Sequence, residues 1–118
     1  AVFGVRDQTY LGAEVYKGRP IFHSLGDFIR GTQNKRHSRI LLPTVVFDGA
    51  QPTRIEWLPV ATDARLLRGD DPHARLQPRV LTGAEAADAV STYAAMCQDL
   101  GTLIEPTETG ARLERAAP

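Results

Sequence analysis

Glu14-Val15-Tyr16-Lys17-Gly18-Arg19-Pro20-Ile21-Phe22-His23-Ser24-Leu25-Gly26-Asp27-Phe28 is the stretch whose reading decides the fold. From Tyr10 to Tyr16 the side chains alternate. Leu11, Ala13 and Val15 fall on one face, and Tyr10, Glu14 and Tyr16 on the other. A period of two with aromatic and β-branched residues predicts a strand. Lys17-Gly18-Arg19 predicts a tight turn, with Gly18 supplying the positive φ of a short hairpin. Pro20 suits the first position of a strand or an edge. Ile21 to Leu25 is the expected return strand, with Ile21, His23 and Leu25 on one face and Phe22 and Ser24 on the other. Gly26 ends it, and Asp27-Phe28-Ile29-Arg30 reads as a helical turn or tight loop.

Outward from the hairpin, the pattern repeats. Residues 31–38 (Gly-Thr-Gln-Asn-Lys-Arg-His-Ser) are polar and predict a mobile loop. Arg39 to Phe47 predicts a strand, in which Pro43 implies an edge position or a bulge. Asp48-Gly49 is a turn signal, and Thr53 to Val60 is expected to pair back, with Ile55 and Trp57 sharing a face. Pro59 marks a bulge or the end of that strand. Thr62 to Pro78 is broken by Gly69-Asp70-Asp71-Pro72 and reads as irregular. Thr82 and Glu85 then form an expected capping box. Ala86, Ala89, Val90, Tyr93, Met96, Cys97 and Leu100 recur at helical spacing as one apolar stripe. Gly101 is the expected stop. Thr102-Leu103-Ile104 and Ala111-Arg112-Leu113 flank Thr109-Gly110 as a final short hairpin, and residues 116–118 form an expected frayed tail. The fold class expected is α+β, with antiparallel hairpins and one amphipathic helix packed on a sheet face.

The 118 residues make one domain. Fourteen Lys and Arg balance fourteen Asp and Glu, so no net field draws nucleic acid or an anionic membrane. A single cysteine, Cys97, excludes an intrachain disulfide and a multi-cysteine zinc site. No apolar run is long enough to span a bilayer, and no signal-peptide pattern is present. The chain begins at Ala1, so a cut from a longer precursor is expected.

The hairpin segment resembles the signature of the bacterial capsule-synthesis proteins of the CapA type, which act in poly-γ-glutamate capsule biosynthesis. There a strand E-(V/I)-Y-(K/N)-G-(R/K)-P-I is followed by F-(Y/H)-S-L-G-N-F, and Glu14 to Phe28 match it without a gap. Trp57-Leu58-Pro59-Val60 and the capped helix ending in Leu100-Gly101-Thr102 also fit. The resemblance implies the C-terminal part of a four-layer α/β/β/α sandwich like that of calcineurin-like metallophosphoesterases, so that residues 1–118 form a single, partial domain. It also implies the bacterial cell envelope. Any divalent metal ions would be bound mainly by the missing N-terminal part. The family's G-H-x-P-H motif falls at Gly4-Val5-Arg6-Asp7-Gln8, where Val5 and Gln8 replace the two histidines. Valine has no donor atom, and a Gln amide is a poor ligand beside imidazole. No cofactor is therefore expected in this chain, and catalysis by it alone is not expected. Asp27 replaces the usual Asn.

Arg6, Asp27, Arg36 and Arg39 are the candidate ligand-binding residues. Lys35-Arg36-His37 with Arg39 is the densest basic cluster, and could hold an anionic polymer such as polyglutamate. A solvated loop is the competing reading. Asp27 could bind a ligand or cap the following turn, and Arg6-Asp7 could be a site remnant or an exposed ion pair. His23 reads as a packed histidine. Asp70-Asp71 beside His73 reads as a turn rather than a metal cluster, and Cys97 as a buried structural thiol. Two functions follow. One is a CapA-like portion in cell-surface polymer synthesis. The other is a non-catalytic binding or scaffolding module on a degenerate fold of the same kind. A partial sandwich would pair with its missing half, or self-associate through an exposed sheet.

Overall fold

Two positive φ angles close the first hairpin, +47° at Lys17 and +78° at Gly18. This is the mark of a type I′ turn, whose twist matches that of the flanking strands. The computed structural model describes residues 1–4, 11–26, 39–62 and 78–114. Arg6-Asp7, the Asp27–Arg30 turn, the 31–38 loop, Asp70-Asp71-His73 and the 116–118 tail lie outside the described residues.

The chain is α+β, with one helix packed on two sheets. The small sheet contains β1 (Val2–Phe3), β2 (Ala13–Tyr16) and β3 (Arg19–Phe22), in the order β1-β3-β2. β2 and β3 are antiparallel, whereas β1 runs parallel to β3, with Val2 opposite Ile21 and Phe3 opposite Phe22. The return strand thus starts and ends earlier than the expected Ile21 to Leu25, and the chain bends at His23. Pro20 sits inside β3, opposite Val15. In a two-residue hairpin the pair next to the turn carries the hydrogen bonds, so Val15 and Pro20 form a non-hydrogen-bonded pair. The proline's missing N–H therefore costs this hairpin nothing.

The larger sheet has β4 (Arg39–Asp48), β5 (Gln51–Ala61), β6 (Arg79–Val80), β7 (Glu105–Pro106) and β8 (Ala111–Glu114). Its order is β4-β5-β8-β7, and β6 joins β5 beyond the end of β8. The β4–β5 turn is Gly49-Ala50, with Asp48 opposite Gln51. The ladder shifts between Val46 and Phe47, where Thr53 is the extra residue and its hydroxyl donates to the Val46 carbonyl at 3.2 Å. Pro43 lies on β4, which ends the sheet order, as its sequence context required. Pro59, by contrast, neither bulges β5 nor ends it. It falls between the stretch paired with β8 and the stretch paired with β6, and its carbonyl accepts the Leu81 N–H at 2.9 Å. Its N–H would point toward that same gap, so its absence breaks no ladder bond.

Helix α1 (Gly83–Asp99) lies against both sheets. Ala86, Ala89, Val90, Tyr93 and Cys97 are buried, as the stripe predicts, but Leu100 is exposed. Thr82 is the N-cap, yet its side chain makes no capping bond. Gly83 has a φ of +59°, so the first helical position is left-handed and the capping box does not form. The far end closes in a Schellman motif. The Thr102 N–H bonds Cys97 O at 2.9 Å, and the Gly101 N–H bonds Gln98 O at 2.9 Å. The last hairpin is displaced from the expected one. Its first arm is Glu105–Pro106 rather than Thr102 to Ile104, because residues 100–102 are used to finish the helix.

The core lies where helix and sheets meet. Trp57 of β5 packs on Tyr93 at 5.8 Å between ring centroids, and on Phe22 of the small sheet edge-on at 6.5 Å. Gly12 allows the closest approach. A Cβ there would lie 2.7 Å from the Met96 carbonyl carbon and 2.8 Å from Cys97 N. Next to it, the Ala13 N–H donates to Cys97 Sγ at 3.3 Å. The cysteine is thus a packed thiol, and burial pushes its pKa above the ordinary 9.0.

Candidate functional site

The hairpin presents its chemistry on its outer face. Pro20, Phe22 and Ser24 point inward and are buried, which turns Ile21 and His23 outward. The expectation of a packed His23 is therefore corrected: it follows the end of β3, where the chain bends, and its side chain is exposed. Its Nε2 donates to Glu14 Oε2 at 2.9 Å, and both side chains are about one-third exposed. Glu14 stands opposite Ile21, so His23 is its diagonal neighbour across the ladder, close enough for a long side chain. An ionised Glu14 carboxylate can only accept, which makes Nε2 the donor of this pair. Beside the pair, Leu11, Gly12, His23, Met96, Asp99 and Leu100 line a shallow hollow of about 360 Å³.

The other end of the hairpin is tied to the large sheet. Arg19 donates to the Ala50 carbonyl at 2.5 Å, joining the two turns. Lys17 lies over the Tyr16 ring at 5.5 Å. The small sheet leaves Val2, Phe3 and Tyr16 more than half exposed, although Phe3 stacks on Phe22 at 4.9 Å.

Of the four residues singled out from the sequence, Arg6, Asp27 and Arg36 lie outside the described residues. Arg39 opens β4, and its guanidinium reaches the helix, with Nη1 at 2.6 Å from Asp88 Oδ2 and Nη2 at 3.2 Å from Thr92 Oγ1. Its side chain is only 16% exposed. In this position Arg39 clamps helix to sheet. Among the described residues, no three His, Cys, Asp or Glu side chains converge as metal ligands, and no helix is long and apolar enough to cross a membrane.

Sequence reasoning missed a second polar array, on the face of the large sheet away from α1. Arg54 and Glu56 point outward from β5, and Arg112 and Glu114 from β8. Their register sets Arg54 opposite Glu114 and Glu56 opposite Arg112, so charges alternate along and across the strands. Arg54 Nε lies 3.2 Å from Glu56 Oε1, and Arg112 Nε lies 3.7 Å from Glu114 Oε1. Neither contact makes a hydrogen bond. The first is misaligned and the second too long, so both Nε atoms are shielded from solvent without an acceptor among the described residues. Thr44, Glu56, Leu58, Thr107, Thr109 and Arg112 line a hollow of about 300 Å³ on this face. The alternation Arg54-Ile55-Glu56-Trp57 is legible in the sequence, but its pairing with Arg112 is not. A third hollow of about 440 Å³ runs between α1 and the β7–β8 loop, past Ala86, Val90, Ala94 and Pro106.

No protein-family description matches the chain, and no curated protein matches it.

Proposed function

We propose that this chain is a portion of a CapA-like protein acting in the biosynthesis of capsule, poly-γ-glutamate or another cell-surface polymer. The observation that carries this reading is how the residues of Glu14 to Gly26 divide their work. Gly18 takes a left-handed turn position, with Gly26 also at positive φ (+76°). Pro20, Phe22 and Ser24 fill the interior. The residues that make the resemblance are thus ones this hairpin needs. In the finer reading, the two sheets and helix are the C-terminal part of a four-layer metallophosphatase-like sandwich in the bacterial cell envelope. The half-exposed Val2 and Phe3, on a parallel edge strand, support a partner there, either the rest of the domain or a second copy.

A second reading, a non-catalytic binding or scaffolding module, is favoured by Val5 and Gln8 in place of the two histidines. Val5 and Gln8 offer no imidazole to a catalytic metal, and among the described residues no three donors converge on one. Anion contacts from Arg6, Arg36 and Arg39 to a polymer such as polyglutamate belong to this second reading, and Arg39 would have to release Asp88 and Thr92 to make one.

The test is Phe22→Asp in the full-length gene of the source organism, with surface polymer and protein level measured together. We expect polymer to fall, and Tyr16→Ser, which leaves the interior intact, to retain it. Unchanged polymer in a strain deleted for the gene would remove the reading. Metal content and phosphodiesterase turnover of the full-length protein separate its two forms, since stoichiometric Mn²⁺ or Zn²⁺ with turnover excludes the binding-only form.

A further inference from the structure

We propose that the open face of the large sheet, around Glu56 and Arg112, is a binding site for a neutral saccharide unit. The site is built by register. Thr44, Glu56 and Arg112 lie directly opposite one another on β4, β5 and β8, so their side chains form one row across three strands. Thr107 and Thr109 close one end of the hollow, and Leu58 adds an apolar surface beside the row.

The chemistry selects the ligand. A lone arginine would favour an anion and a lone glutamate a cation, but here the two are cross-strand neighbours and their charges cancel. What remains is a close set of directional groups, with guanidinium donors, carboxylate acceptors and threonine hydroxyls that do either. A ring of vicinal hydroxyls uses both kinds at once, and its C–H face can rest on Leu58. Arg112 and Glu56 are 42% and 51% exposed, so although Arg112 Nε is itself shielded, the rest of each side chain is open to a ligand. The hollow, about 300 Å³, is at the small end of ligand sites and suits one sugar ring. All three strands are paired at these positions, so the row is preorganised. The proposal stands on this face alone, and is independent of the capsule reading.

The test is amide-resolved NMR titration of the whole chain with N-acetylglucosamine, glucose, glucuronate and a γ-linked glutamate oligomer. We expect a neutral sugar to give saturable shifts at Thr44, Glu56, Thr109 and Arg112. Glu56→Gln and Arg112→Met should each weaken that binding about tenfold, as for loss of a hydrogen bond to a charged group. Glu85→Gln on the far side of α1 should leave it unchanged. Thermal unfolding of each variant reports whether it folds, and the wild-type shift map stands even if one does not. Binding confined to glucuronate or the glutamate oligomer, shifts that map elsewhere or fail to saturate, or equal affinity in folded Glu56→Gln would each overturn the proposal.

Discussion

The two faces of the larger sheet share the same strands and have opposite physics. On the helix side, Leu41, Ile55, Trp57 and Ala61 are almost fully buried, and Trp57 bridges Tyr93 and Phe22. One residue along, Arg54 and Glu56 turn to the other face and are each about half exposed, although further along that same face Ile40 and Val60 are buried again. On one face, stability comes from area removed from water and from close packing. On the other, opposed charges pair at 3.2 and 3.7 Å between half-exposed side chains, where water screens them and they contribute little. The difference locates where substitutions cost stability and where they are free to change recognition.

The largest break in this contrast comes from Trp57→Ala. Loss of the central ring should cost about 3–5 kcal/mol in urea unfolding, while Glu56→Ala next to it should stay within about 0.5 kcal/mol. Equal effects would mean that the outer face is also packed. Gly110→Ala is next. A Cβ there would meet the Trp57 carbonyl oxygen at 1.9 Å, and backbone cannot yield as a flexible side chain can. Overpacking should cost about 1–3 kcal/mol, read as a lower unfolding midpoint.

Cys97 sharpens the comparison through pH. Burial raises its folded-state pKa, so above the unfolded thiol's range the unfolded chain releases a proton that the folded chain keeps. Its contribution is whole below about pH 9 and is lost as pH rises from there toward the raised folded value. Wild type should therefore lose more stability above pH 9 than Cys97→Ala does, and its thiol should resist aromatic disulfide reagents until denaturant is added. A thiol that reacts at once in the native protein would contradict this placement. The smallest effect is Asp88→Asn. It breaks the charge pair with Arg39 but keeps an oxygen acceptor, so its cost should be under about 1 kcal/mol and should shrink in high salt.

The elements of this fold were legible where the pattern is local. The period-two runs around Val15, Val45 and Ile55, the turn at Gly18 and the stripe from Ala86 to Cys97 each state their own secondary structure. The misreadings arose where a distant partner decides. His23 alternates like a core residue, yet the chain bends there after β3, so the histidine is exposed and finds Glu14. Thr82 and Glu85 have capping-box spacing, but the left-handed Gly83 between them disrupts it. Pro59 reads as a strand end until the gap between β6 and β8 gives its ring a place. Of the candidate ligand residues, only Arg39 is in the described chain, and its hold on Asp88 and Thr92 depends on a helix about fifty residues away in sequence.

By itself, then, the sequence determined a mixed α+β chain, its hairpins, its helix and a neutral overall charge, because these depend on neighbours within a few positions. Tertiary structure alone decided the parallel pairing of β1 with β3, which face of each strand is buried, and the row of Thr44, Glu56 and Arg112. Those depend on register. A slip of one residue between paired strands exchanges the inner and outer faces, and no local pattern in β8 states that Arg112 must stand opposite Glu56.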